Sequence, residues 1–310
     1  METRYLRSFL KIAETGSITR AAESLGIAQP SLSQQLLRLE DEIGAHLFAR
    51  TARGVTLTDS GRLFQEHARQ ILRGVDLAVE DIRELDDEPV GSVICAVPYS
   101  ISNIGGVALF EAMLKRAPRV RFRLVEAMTA QIWGWLEDGK VDLGILNYLG
   151  PKRGLTFRSL ASEELFLIGP PGKFGGQATV PNISLADLAD FPMILPGLPH
   201  GLRQLIDQEM IRHGITLQVF RDMDSLAHMG KLIANGHGYS ILPLSVIAED
   251  LRQSEVSIAR IDAGSMTRNL ALVRNGGALV THASVRCEDV VFEVLGKMIL
   301  EGVWQATPTE

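Results

Sequence analysis

Cysteine is nearly absent from this sequence: Cys95 and Cys287 stand far apart, and neither has a second thiol or a histidine at metal-ligand spacing. That excludes a disulfide framework and leaves two buried, reduced thiols as the expectation, in keeping with a reducing compartment. Long apolar runs are missing too. The longest, such as 165–168 and 193–195, are strand-length, far short of the roughly 20 residues that span a bilayer, so no membrane anchor is expected. The opening residues Met1-Glu2-Thr3-Arg4-Tyr5 have no basic segment feeding an apolar one and no small-residue cleavage site, so no secretory signal is expected and the expected location is the cytoplasm. A basic surplus is lacking as well. With 31 Lys and Arg against 37 Asp and Glu, the net charge of −6 speaks mildly against nucleic acid as a partner. Within residues 1–58, however, seven Lys or Arg meet six acids, and half of those acids are bunched at Glu40, Asp41 and Glu42.

What is present is ordinary globular material: 46% hydrophobic and 22% charged residues over 310 positions, enough for two or three domains. Three regimes follow one another. Residues 1–58 read as short helices; 59–87 as one long helix; 88–310 as a strand–helix alternation. In the long helix, Phe64, Ala68, Ile71, Val75, Ala78, Ile82 and Leu85 alternate at spacings of four and three, a heptad seam suited to a two-stranded coiled coil. At 1.5 Å per residue such a helix is ~40 Å long, more than a small domain needs; packing on its own chain is the alternative. Thr58-Asp59 starts the helix and Glu88-Pro89-Val90-Gly91 ends it.

Beyond that hinge, strands are expected at 92–97, 120–126, 141–147, 165–168, 193–195, 217–220, 239–242 and 269–274, with helices at 104–115, 130–138, 202–213, 225–234 and 284–300. Units of this kind imply a parallel sheet covered on both faces, and some 220 residues of them imply two α/β lobes. The boundaries place lobe I at about 92–161 and 268–310, lobe II at about 162–267.

In residues 4–43, helices at 4–15, 18–25 and 30–43 are separated by Gly16-Ser17 and by Gly26-Ile27-Ala28. The second break is the tight turn of a helix-turn-helix, and Ala21-Ala22 allow close helix approach. On the third helix Leu32, Leu36, Leu39 and Ile43 form an apolar stripe, with Ser31, Gln34, Gln35 and Arg38 opposite it. Amides and guanidinium groups there suit base edges, although a polar helix face is commonly just solvated. Residues 50–58 read as a hairpin wing whose Arg50 and Arg53 could meet phosphates or a minor groove.

Ala21-Ala22-Glu23-Ser24-Leu25, Gln29-Pro30-Ser31-Leu32-Ser33-Gln34-Gln35, Leu39-Glu40, Ile43-Gly44, Leu47-Phe48-Ala49-Arg50 and Leu57-Thr58-Asp59-Ser60-Gly61 resemble the signature of LysR-type transcriptional regulators. The later regimes match that family's organisation over essentially the whole chain. Pro98-Tyr99-Ser100-Ile101-Ser102, Leu124-Val125-Glu126 and Pro199-His200-Gly201-Leu202-Arg203 are most similar to its nitrogen- and sulfur-assimilation subgroup. The resemblance implies a winged helix-turn-helix, a linker helix and a two-lobed effector domain like a periplasmic binding protein. It further implies Gln29, Pro30, Ser31, Ser33 and Gln34 at the DNA and Arg50 and Arg53 on its backbone or minor groove, to which the polar stripe adds Arg38. Dimers paired through the linker helix, homotetramers, an interrupted palindrome in double-stranded DNA and RNA polymerase as a further partner complete the expectation.

Two lobes make a cleft where strand carboxyl ends and helix amino ends attract anions. The junctions supply Tyr99, Ser100, Ser102, Met128, Thr129, Asn147, His200, Arg203 and Met223 as candidate effector contacts. Ser100, Ser102 and Thr129 could hydrogen-bond a carboxylate and Arg203 could pair with one, although each serine also suits a helix cap and His200 a structural role. An anionic small molecule is the expected effector; no metal or other cofactor is expected. Trp133 and Trp135 read as packing residues. Chemistry of an enzyme is not found. There is no Gly-x-x-x-x-Gly-Lys loop, Gly236-His237-Gly238 lacks a third glycine, Gly238-Tyr239-Ser240-Ile241-Leu242 is no nucleophile elbow, and the seven histidines show no short metal spacing. The competing reading is a two-lobed binding protein or enzyme that reads no DNA.

Overall fold

A computed structural model describes residues 1–51, 54–83, 89–148, 150, 152, 154–174, 180–277 and 280–309. The chain forms two compact units, Met1–Asp87 and Glu88–Glu310.

In the first unit, three helices, α1 (Thr3–Thr15), α2 (Ile18–Leu25) and α3 (Gln29–Ile43), precede a hairpin of β1 (Phe48–Thr51) and β2 (Gly54–Leu57) and then α4 (Asp59–Arg83). Gly16, Gly26 and Gly44 end the first three helices in the left-handed conformation, where a side chain would be strained. Leu6, Phe9, Ile12, Ala21, Leu32, Leu39 and Leu47 are all within 1% of full burial. Phe9 sits 5.2 Å from the Phe48 ring and 5.1 Å from the Phe64 ring, tying α1 to the wing and to α4. Burial of each such large side chain is worth about 1.5–3 kcal/mol. Val55 N–H donates to Gly16 O at 3.0 Å, docking the wing on the α1–α2 turn.

The heptad seam divides on inspection. Phe64 and Ala68 pack into the unit's own core with Leu72, whereas Ile71 and Val75 are 39% exposed. Its first half is therefore spent within the chain. Ala78, Ile82 and Leu85 lie outside the described side chains.

The second unit runs β3 (Gly91–Val97), α5 (Tyr99–Arg116), β4 (Val120–Glu126), α6 (Thr129–Glu137), β5 (Leu143–Asn147), β6 (Leu155–Gly169), β7 (Asn182–Ile183), β8 (Pro192–Leu195), α7 (Gly201–Arg212), β9 (Gln218–Asp222), α8 (Leu226–Ala234), β10 (Ser240–Pro243), α9 (Ala248–Arg252), β11 (Ser257–Ile261), β12 (Thr267–Asn275), α10 (His282–Leu300) and β13 (Thr307–Pro308). The expected wholly parallel sheet is corrected to a mixed one. β4-β3-β5 are parallel, but β12 runs antiparallel to both β5 and β6, and β10 and β11 run antiparallel to β6. The cause is β6. Its 15 residues pair with β12 over Leu155–Glu164 and with β10 and β11 over Leu165–Gly169, so one strand serves both lobes. Each lobe has its own core, one around Cys95, Ile101, Leu109 and Leu295, the other around Leu167, Met193, Leu195 and Ile233. Burial pushes the Cys95 and Cys287 thiols up to about 12, so both stay protonated at neutral pH. No helix among the described residues is long and apolar enough to cross a membrane.

Candidate functional site

Two surfaces carry polar groups that the fold itself does not consume. The first is α3. Leu32, Leu36 and Leu39 are buried, so the helix turns Gln29, Pro30, Ser31, Gln34 and Arg38 outward, with Ser33 half-buried. Gln34 has no hydrogen-bond partner among the described residues. Its neighbour Gln35 is used inside the unit, accepting from Ser8 Oγ at 2.6 Å. Gln29 Nε2 donates to Ser33 Oγ at 2.9 Å, and Arg38 reaches back to the Tyr5 hydroxyl at 3.4 Å. Arg50 is exposed on β1; Arg53 lies outside the described residues. Exposed Leu37 also stands on α3.

The second is a cavity of about 210 Å³ within the two-lobed unit. The amino ends of α5, α6, α7 and α8 meet around it, and their first N–H groups have no partner in the helix. No side chain caps α5 or α8, whereas at α6 the Met128 N–H donates to Gln131 Oε1 at 3.2 Å. Of the residues expected there, the cavity gathers Tyr99, Ser100, Met128, Thr129, Asn147 and His200. Thr129 and Asn147 are 7% and 3% exposed, and neither side chain has a hydrogen-bond partner among the described residues. Both line the cavity, where a ligand can hydrogen-bond them. A methyl group on Gly201 would lie 3.3 Å from Thr129 Cβ and 3.5 Å from Asn147 Nδ2, so the start of α7 faces lobe I at close range.

Three expected residues lie elsewhere. Ser102 is on the α5 face towards Gly106, away from the cavity lining. Arg203 is held within its own lobe: Nε bridges both Asp207 oxygens at 2.9 Å, and Nη1 meets Pro196 O at 3.1 Å and Asp222 at 3.2 Å. Met223 packs against the lobe II core.

Sequence reasoning missed Arg268, which lines the cavity from β12 at 3% exposure. Its Nε donates to Glu163 Oε2 and its Nη2 to Ser100 Oγ, each at 2.7 Å. Glu163, 1% exposed, takes a further bond from Trp304 Nε1 at 2.6 Å. Strand register fixes this pair, because Arg268 is directly opposite Glu163. Glu126, Gln131, Asp224 and Ser225 complete the polar lining that the sequence did not single out.

Electrostatics sets the protonation states. Burial lowers the His200 pKa, Asp224 partly opposes this and Arg268 adds to it, so the ring is neutral at pH 7. Nδ1 accepts from Leu202 N–H at 3.1 Å, which leaves the proton on Nε2 as a donor. Burial and the Glu126 and Asp250 carboxylates push the Tyr99 phenol up, keeping it protonated.

Comparison with known proteins finds a match for each of the two units. Residues 3–62 match the family described as bacterial regulatory helix-turn-helix protein, lysR family, and residues 86–294 match the LysR substrate binding domain. The nitrogen assimilation regulatory protein nac of Escherichia coli (strain K12) is 29% identical over 305 residues, 97% of each chain. Among solved structures, a full-length OxyR variant from Pseudomonas aeruginosa superposes with a TM-score of 0.74 at 21% identity, covering 100% of this chain and 98% of that one. Full-length CbnR in complex with its target DNA gives 0.66 at 24% identity, covering 95% and 100%. At these identities the two structures speak for the fold alone.

Proposed function

The chain belongs to the LysR family of DNA-binding transcriptional regulators with an effector-binding domain, and from there we propose that α3 reads bases in a major groove while the cavity takes a small carboxylate effector. Gln34, its exposed neighbours Gln29, Pro30, Ser31 and Arg38, and half-buried Ser33 face the bases; Arg50 and Arg53 hold the backbone or minor groove. One observation carries the reading: Gln34 stands exposed on α3 with no partner among the described residues, opposite the buried Leu32, Leu36 and Leu39, where a bidentate amide can reach an adenine edge. The cavity serves as effector site through Asn147, Thr129 and the uncapped amino ends of α5 and α8. The protein is not an enzyme on this account, works in the cytoplasm, and acts as a dimer or tetramer on an interrupted palindrome, in contact with RNA polymerase. Exposed Ile71 and Val75 on α4 support pairing with a second copy.

The test is binding of full-length Gln34→Ala to a protected site and to a scrambled one. Discrimination between the two should fall by about 1–3 kcal/mol, one bidentate contact. Equal losses on both sequences would remove Gln34 from base reading.

A further inference from the structure

We propose that the ligand of this cavity carries an ammonium group beside its carboxylate, as an α-amino acid does. The inference rests on the effector reading above and names its chemical class.

The carboxylate half has receivers. Arg268 spends Nε and Nη2 on Glu163, Ser100 and Ser245, while Nη1 has no partner among the described residues. Thr129 and Asn147 are 7% and 3% exposed with no hydrogen-bond partner on their side chains among the described residues, and no side chain caps the α5 and α8 amino ends. All of these line one space.

The charge balance does not favour a plain anion. Glu163 already neutralises Arg268 from behind. Arg203, the other cation near the cleft, is bound to Asp207 and Asp222. His200 is neutral. The other formal charges lining the cavity are Glu126 from lobe I and Asp224 from lobe II, both negative. Glu126 has no hydrogen-bond or ion-pair partner among the described residues, and Asp224 offers one oxygen to Gly197 N–H at 2.9 Å and keeps the other. A simple mono- or dicarboxylate would add negative charge beside two carboxylates. A ligand ammonium compensates them while its carboxylate meets Arg268 and the helix ends. At about 210 Å³ the cavity lies below the 300–1,000 Å³ of drug-sized sites, the scale of a small amino acid.

The experiment is calorimetry on full-length protein with each of the common α-amino acids, its 2-hydroxy acid and its decarboxylated amine. An amino acid should bind at least about tenfold tighter than both counterparts, roughly the free energy of one charge-assisted contact. Glu126→Gln and the Glu126→Gln, Asp224→Asn pair should erase the preference over the hydroxy acid; both positions are exposed, and asparagine at 224 keeps an oxygen to accept from Gly197 N–H. A hydroxy acid that binds wild type as tightly as its amino acid overturns the class and leaves the effector site standing. Silence from all three series, with the protein folded and DNA-binding, overturns the class and the effector reading together.

Discussion

Replacing Arg268 by leucine removes one member of a buried ion pair and leaves the other in place. Arg268 and Glu163 are 3% and 1% exposed and opposed across β6 and β12. In Arg268→Leu the Glu163 carboxylate keeps Trp304 Nε1–H at 2.6 Å and loses its counter-charge. Removing one partner of a buried pair costs about 3–5 kcal/mol. For a unit of some 200 residues, at ~2–4 °C per kcal/mol, the effector unit should melt about 6–20 °C lower. Glu163→Leu combined with Arg268→Leu removes both charges and should recover most of that loss, since an apolar substitute for a whole buried pair is often neutral. Recovered stability would not restore the ligand response, because Nη1 is gone. Thermal melts of wild type, both single variants and the double variant form the cycle. A single-variant loss under about 1 kcal/mol, or a double-variant loss equal to the sum, would refute the argument.

Arg50→Ala should weaken cognate and scrambled DNA alike and flatten the slope of log affinity against log salt by about 0.9 for one phosphate contact; an unchanged slope in filter binding counts against that contact. Gly61→Ala would set a methyl carbon 2.0 Å from Leu47 O, backbone that cannot step aside, and should destabilise the DNA-binding unit by about 1–3 kcal/mol; urea unfolding with no shift would contradict the close packing of α4 on the β1 approach. His200 titrates below its ordinary 6.5 in the folded chain. The unfolded chain binds the proton more readily, so the histidine's contribution to stability is present above 6.5 and falls as pH drops through it; His200→Gln should lessen that slope in melts across pH 7.5 to 5.5, and an identical slope would refute it.

The first unit was legible because its signals are local. Gly16 and Gly26 end helices where left-handed backbone is needed, and a 15-residue helix with leucines at 32, 36 and 39 can bury only one face. The linker seam was legible in period and not in destination: a four-three spacing serves the chain's own core at Phe64 and Ala68 as readily as a partner at Ile71 and Val75. In β6, only residues 165–168 looked like strand, because 155–164 mixes Arg158, Ser159, Glu163 and Glu164 among apolar residues. Those polar positions are what one face and a hinge-side ion pair require. Arg268 was hidden for the same reason, its partner lying 105 residues earlier in the chain. Arg268 sits between Thr267 and Asn269, just before the expected strand at 269–274, and reads there as an ordinary polar flank. Arg203, by contrast, had its structural partner in plain view at Asp207, four residues on, the spacing of a helical ion pair.

The central claim is that this chain reads DNA sequence through α3. Footprinting of full-length protein on random genomic fragments at near-physiological salt tests it most directly. The account predicts protection of recurrent interrupted palindromes that Gln34→Ala blurs. Folded, oligomeric protein that protects no preferred sequence, with or without amino acids present, would contradict it.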